Sequence, residues 1–196
     1  MNISPLSAQM FAQTSGVAAI ALIAGSATFL IGAGIAVPRV FNEPGREQKW
    51  RLLERGLLWW RLGQPLYAIG ALVAALGVGA LATAAGAAAR VYLAASCALL
   101  VAGALAWSWS VYLRGTHPRE FAFGKLPGWP FTTYIWSTLA GLGLLGVGLL
   151  LGDWPGWLGW FTLAADAAFT AAYVRFGDLP PFVFYLLFLV VGFTVA

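Results

Sequence analysis

No charged residue precedes Arg39, and five later apolar stretches carry only one charge between them, Asp166. That pattern constrains the chain more than any other feature. A helix needs about 20 apolar residues to cross a hydrocarbon core about 30 Å thick. Inside that core each backbone N–H and C=O must be paired within the spanning element, so the chain has to be helical there. Charged residues make up 9% of the 196 and apolar ones 61%, with a mean hydropathy of +0.82. A soluble domain carries about 25% charged residues to cover its surface. The sequence therefore predicts an all-α fold, a single polytopic membrane helix bundle.

Six segments are predicted to span, placed at about 16–37, 65–85, 91–112, 130–151, 156–174 and 181–196. Pro65, Pro130 and Pro181 each open a segment, where a missing amide hydrogen costs nothing. With no basic residue ahead of the first run, that run is expected to stay as an anchor rather than to be cleaved as a signal peptide.

The loops then sort by charge. Arg39, Arg46, Lys49, Arg51, Arg55 and Arg61 fall between the first two segments, Arg114, Arg119 and Lys125 after the third, and Arg175 after the fifth. Only Arg90 lies on the other side. Positive charge stays cytoplasmic, so these basic loops face the cytoplasm and both termini lie outside the cell membrane. The long first loop is expected to form an amphipathic helix over about 45–63, since Trp50, Leu53, Leu57 and Trp60 share one face. It is read as lying at the membrane interface, with packing on the cytoplasmic end of the bundle as the alternative.

Few residues offer chemistry. Asp166 falls near the middle of the fifth segment. An acidic residue there costs about 2.5–3.5 kcal/mol on insertion scales and is expected to face the bundle interior. Thr162, Thr170 and Tyr173 extend a polar stripe on its helix, and Ser26 and Thr28 on the first segment stand at a similar depth. These six form a candidate ligand-binding or proton-coupling site, with Ser26 or Thr28 expected to hydrogen-bond Asp166. The competing interpretation is a hydrogen-bonded packing residue. The second candidate is aromatic: Trp107, Trp109, Trp129 and Trp136 are expected to line a pocket for a flat apolar molecule such as a quinone or lipid, against the alternative of an interfacial belt. One of Trp107 and Trp109, which point to different faces, is expected to turn inward. The glycines of the first and fourth segments, including Gly148 and Gly152, predict close helix packing.

Several function classes have no support. His117 and Cys97 are single, so neither a metal site, a pair of haem ligands nor an intrachain disulfide is expected, and no cofactor is implied. Motifs of zinc proteases, serine hydrolases and P-loop proteins are absent. The expected function is non-enzymatic binding of a small apolar molecule or of a partner membrane subunit. A proton-coupled secondary transporter using Asp166, working as a homodimer, is the alternative. Lipid is an expected partner and nucleic acid is not.

Overall fold

The computed structural model describes residues 5–35 and 39–196, with side chains from Ser15 onward. Its elements are all helical: α1 (Pro5–Ile35), α2 (Arg39–Asn42), α3 (Arg46–Arg55), α4 (Leu57–Ala84), α5 (Ala87–Thr116), α6 (Pro118–Ala122), α7 (Trp129–Leu151), α8 (Gly156–Phe176) and α9 (Phe182–Val195). Four helical stretches are long and apolar enough to cross a membrane: Ser15–Ile35, Leu57–Ala84, Ala87–Thr116 and Trp129–Leu151. The long helices pack in chain order: α1 on α4, α4 on α5, α5 on α7, α7 on α8, α8 on α9, and α9 back on α1. The core occupies the interior of this ring, from Leu22 and Phe29 through Leu93 and Leu142 to Phe184 and Val191.

Close backbone approach sets the α1–α4 seam. A Cβ added at Gly70 would lie 2.5 Å from the Phe29 nitrogen, and one at Gly25 2.5 Å from the Ala74 nitrogen. Gly32 meets the Gly63 carbonyl, and Gly77 meets the Leu22 nitrogen. Gly25 and Gly32 are thus one heptad apart on α1, as are Gly63, Gly70 and Gly77 on α4. A repeat of seven keeps one stripe facing its partner along two nearly aligned helices. Gly146 and Gly159 bring the α7 and α8 backbones together in the same way. Across α5 and α7, the Ser96 hydroxyl donates to the Gly141 carbonyl at 2.7 Å.

The first segment's expected end at Val37 lies outside the described residues, and two other boundaries differ from the sequence expectation. The second spanning helix begins at Leu57, not Pro65, so Pro65 sits inside α4. Pro65 denies the Arg61 carbonyl its amide donor, but membrane helices tolerate such prolines when neighbouring groups pair with the freed backbone. One residue earlier, the Gln64 side-chain amide donates to the Trp60 carbonyl at 3.1 Å. The expected loop helix over 45–63 is divided at Gly56: α3 ends at Arg55, and Trp59 and Trp60 belong to α4.

Short helices cover the end of the bundle that carries the basic loops. Leu53 of α3 is fully buried, and α3 packs chiefly on α6. Trp60 is also fully buried, stacks on Phe121 of α6 at 5.0 Å between ring centroids, and donates its indole N–H to the Arg114 carbonyl at 2.8 Å. At the same end α8 is capped by Gly177, whose φ of +70° allows its N–H to bond the Tyr173 carbonyl at 2.8 Å.

Candidate functional site

At the basic end, α1, α5 and α8 finish while α4, α7 and α9 begin, and a cavity of about 520 Å³ opens among them. Its walls are Phe29, Tyr67, Trp107, Phe121, Phe131 and Phe182, with Ala33, Phe41 and the Pro180–Pro181 turn completing them. The aromatic wall is continuous. Phe29 lies edge-on to Tyr67 at 4.8 Å between centroids and stacked on Tyr185 at 3.6 Å. Trp107 packs on Tyr67 at 5.8 Å, on Phe131 at 6.1 Å and on Tyr134 at 4.8 Å. Behind the wall the Tyr134 and Tyr185 hydroxyls meet at 3.3 Å, joining α7 to α9.

Four polar residues enter this lining: Arg114, Lys49, Asn42 and Asp178. Arg114 lies one heptad beyond Trp107 on α5, on the face that also buries Ser110 and Val111. Its guanidinium carbon stands 4.9 Å from the Trp107 ring centre, 5.2 Å from that of Phe121 and 5.8 Å from that of Phe131. The Lys49 ammonium reaches over the Phe121 ring at 6.0 Å. Among the described residues, Arg114 makes no ion pair and its guanidinium no hydrogen bond. The indole N–H of Trp107, itself buried, likewise has no acceptor among the described residues.

Of the four tryptophans expected to form a pocket, only Trp107 faces one. Trp109 is half exposed and stacks on Tyr112 at 5.6 Å, and Trp136 is half exposed and edge-on to Tyr173 at 5.5 Å. Trp129 is 60% exposed. Trp109 and Trp129 look away from the bundle, as residues of an aromatic belt do, and Trp136 stands at the outer edge of the α7–α8 seam. Helical spacing identified faces of α5 and α7 but not which face was covered. The phenylalanines and tyrosines that build the pocket in their place come from six helices, α1, α2, α4, α6, α7 and α9. One signal was available: Trp107, Ser110, Val111 and Arg114 follow an i, i+3, i+4, i+7 stripe that carries a basic residue into an aromatic face.

The polar stripe of α8 is also placed differently from expectation. Asp166 is half-buried and faces α7, where its Oδ2 would lie 3.2 Å from a Cβ added at Gly143. Its Oδ1 is buried without a hydrogen-bond partner among the described residues, and so is the hydroxyl of Ser26. The expected Asp166–Ser26 or Asp166–Thr28 bond therefore does not form. The reason is packing: the Gly146–Gly159 contact holds α8 on α7, while α1 is held against α4 and α9. Thr162 is buried but bonds the Leu158 carbonyl of its own helix at 2.8 Å. Thr170, Tyr173 and Thr28 are half-buried. Asp166 does not line the aromatic cavity.

Among the described residues no cluster of His, Cys, Asp and Glu is arranged to hold a metal ion. Comparison with models of protein families, with curated proteins and with solved structures returns no match.

Proposed function

We propose that the protein is a six-span membrane protein that binds a small, largely apolar molecule in the cavity at its basic end. The cavity carries this reading. Its volume of about 520 Å³ falls within the roughly 300–1,000 Å³ of small-molecule sites, and it combines a mostly aromatic wall with a few convergent polar groups. Support for six spans comes from the ring. α8, with 21 residues, and the apolar α9, with 14, stand among the four longer helices and close the circle between α7 and α1. Six crossings would also put every loop rich in Lys and Arg on one side, which the positive-inside rule makes cytoplasmic. In that orientation the cavity opens near the cytoplasmic interface and α3 lies at headgroup depth.

The test is photolabelling in nanodiscs with a diazirine-bearing long-chain methyl ester, followed by peptide mapping. Saturable labelling of Phe29, Trp107 or Phe131 is the expected result. Labelling confined to exposed belt residues such as Trp129 and Trp136 would refute the proposal.

A second reading, proton-coupled transport, rests on one observation: the Asp166 Oδ1 is buried at the α7–α8 seam without a hydrogen-bond partner among the described residues. A carboxyl left so inside a membrane protein is costly unless it exchanges a proton or a ligand. Uptake into proteoliposomes driven by a proton gradient, and lost in Asp166→Asn, would favour it over simple binding.

A further inference from the structure

We propose that the ligand of the aromatic cavity is an amphiphile with an anionic head, a carboxylate or a phosphate, seated on the Arg114 guanidinium. Its apolar body would lie against Phe29, Trp107 and Phe131. The inference rests on the cavity being a binding site and adds the charge of what binds there.

Arg114 carries the argument. A guanidinium has five N–H donors in a planar fork. Here three aromatic rings surround it at 4.9–5.8 Å; among the described residues the Asp178 carboxylate attracts it only from a distance, and no acceptor takes a hydrogen bond from it. Ring faces attract the cation but cannot accept five hydrogen bonds. A charge removed from water without hydrogen-bonding partners is unfavourable, whereas a carboxylate or phosphate takes two parallel bonds from the fork. The rings also hold the guanidinium in place before any ligand arrives, which lowers the ordering cost of binding.

The charges around it agree. Lys49 adds a second cation over the Phe121 ring, and Asp178 at the exposed rim is the one acidic residue in the lining. The cavity thus carries two cations against one anion. A free inorganic ion would leave the aromatic wall uncovered and most of the 520 Å³ unfilled. An amphiphile matches both parts, head on Arg114 and body on the rings. The cavity's place at the end of the bundle suits such a molecule, which enters from the interface with its head nearest water.

The experiment compares a diazirine-bearing fatty acid with its methyl ester, in nanodiscs of uncharged lipid, using competition to obtain relative affinities. Charge-assisted hydrogen bonds contribute about 1.5–3 kcal/mol, so the acid is expected to label the wall about 10–100-fold more tightly than the ester. Arg114→Gln should abolish that preference while leaving ester labelling in place. Lys49→Gln should reduce the preference, and Asp178→Asn should increase it. These two variants alter rim and loop positions and keep the test decisive if Arg114→Gln fails to fold. Competition by a single-chain phospholipid bearing a terminal phosphate, set against a competing fatty acid, shows which head is preferred, and inorganic phosphate alone should not compete. Equal labelling by acid and ester in the unmodified protein would overturn the anionic head and leave the cavity standing. An unchanged preference in both Lys49→Gln and Asp178→Asn would also overturn it. If neither probe labels the wall, the cavity itself is not a binding site.

Discussion

Gly70→Ala tests the packing from which the rest of the bundle follows. The new methyl would lie 2.5 Å from the Phe29 nitrogen, 2.7 Å from the Gly25 carbonyl oxygen and 2.8 Å from the Phe29 Cα. Ordinary contacts to carbon are about 3.5–4.0 Å, so each is short by about 1 Å. All three are backbone atoms, and no rotamer change can relieve them. Forcing extra atoms into a packed interface costs about 1–3 kcal/mol, and a contact between backbones belongs near the top of that range. Alanine returns up to about 1 kcal/mol through its better helix propensity. The net loss is then about 1–2 kcal/mol. At roughly 2–4 °C per kcal/mol for a chain of this size, the melting temperature in detergent should fall by about 2–8 °C. Gly34 provides the control, because an added methyl there meets nothing within 4 Å. Gly34→Ala should leave the melt unchanged or raise it slightly. The double variant Gly25→Ala/Gly70→Ala should cost less than the sum of its parts, since a seam already parted admits the second methyl more easily. If Gly70→Ala melts with the unmodified protein, or if the two glycines add independently, α1 and α4 are not in backbone contact and the heptad argument fails.

Three further outcomes are expected. Gly148→Leu should loosen α5 from α7, because a Cβ there already lies 2.7 Å from Leu93 side-chain carbons and 3.4 Å from its backbone nitrogen; an unchanged thermal melt would refute this. In a Cys97→Ser background, cysteines at Glu47 and Gly124 should react with an impermeant reagent only from the cytoplasm and one at Asp153 only from outside; external labelling at Glu47 would reverse the orientation. Asp166→Asn should melt no lower than the unmodified protein, since the carboxyl Oδ1 has no hydrogen bond to lose among the described residues; a large drop would mean that Asp166 is held by a partner, such as a second subunit, that supplies one.

The helical bundle could be read from the sequence because charge-free runs near the length of a bilayer leave the backbone no other way to pair its polar groups. Boundaries were less visible. Pro65 resembled a helix start, yet the chain is already helical from Leu57, because neighbouring groups can accommodate a proline inside a membrane helix. The heptad of Gly63, Gly70 and Gly77 was present in the sequence, but it acquires meaning only opposite Gly25 and Gly32. Asp166 stands out in the sequence as a lone charge in an apolar run, but its neighbour depends on which helix α8 packs against, something depth along the chain does not encode. For the tryptophans, the difficulty was that lipid and protein interior are equally apolar. Hydrophobicity therefore cannot tell the buried Trp107 from the half-exposed Trp109 two residues away.

Small residues and aromatic residues divide the bundle between them, and that division explains why the cavity lies where it does. α1 and α4 stay in backbone contact through Gly77, Gly70 and Gly63, so this pair leaves no space along its length. The α5–α7 and α7–α8 seams are also tight, the first through Leu93 with Gly148, Ser96 with Gly141 and Gly103 with the Tyr134 carbonyl, the second through Gly146 with Gly159. Toward the basic end the same seams change character: Trp107 meets Tyr134 across α5 and α7, and Trp136 meets Tyr173 across α7 and α8. The Trp107 ring, one turn beyond Gly103, faces the cavity instead of closing the seam. Phe29 and Tyr67 project from the closed α1–α4 pair toward the opening and meet Trp107 and Tyr185 there. Space bounded by rings on stiff helices is not readily removed by collapse, because filling it would require those backbones to move together against their own aromatic spacers. Arg114 lies among the Trp107, Phe121 and Phe131 rings, on the same face of α5 as Trp107 and one heptad nearer the basic end. A cavity walled by these rings is apolar toward the middle of the bundle and carries two cations against one anion, a balance that an anionic amphiphile entering from the interface would match.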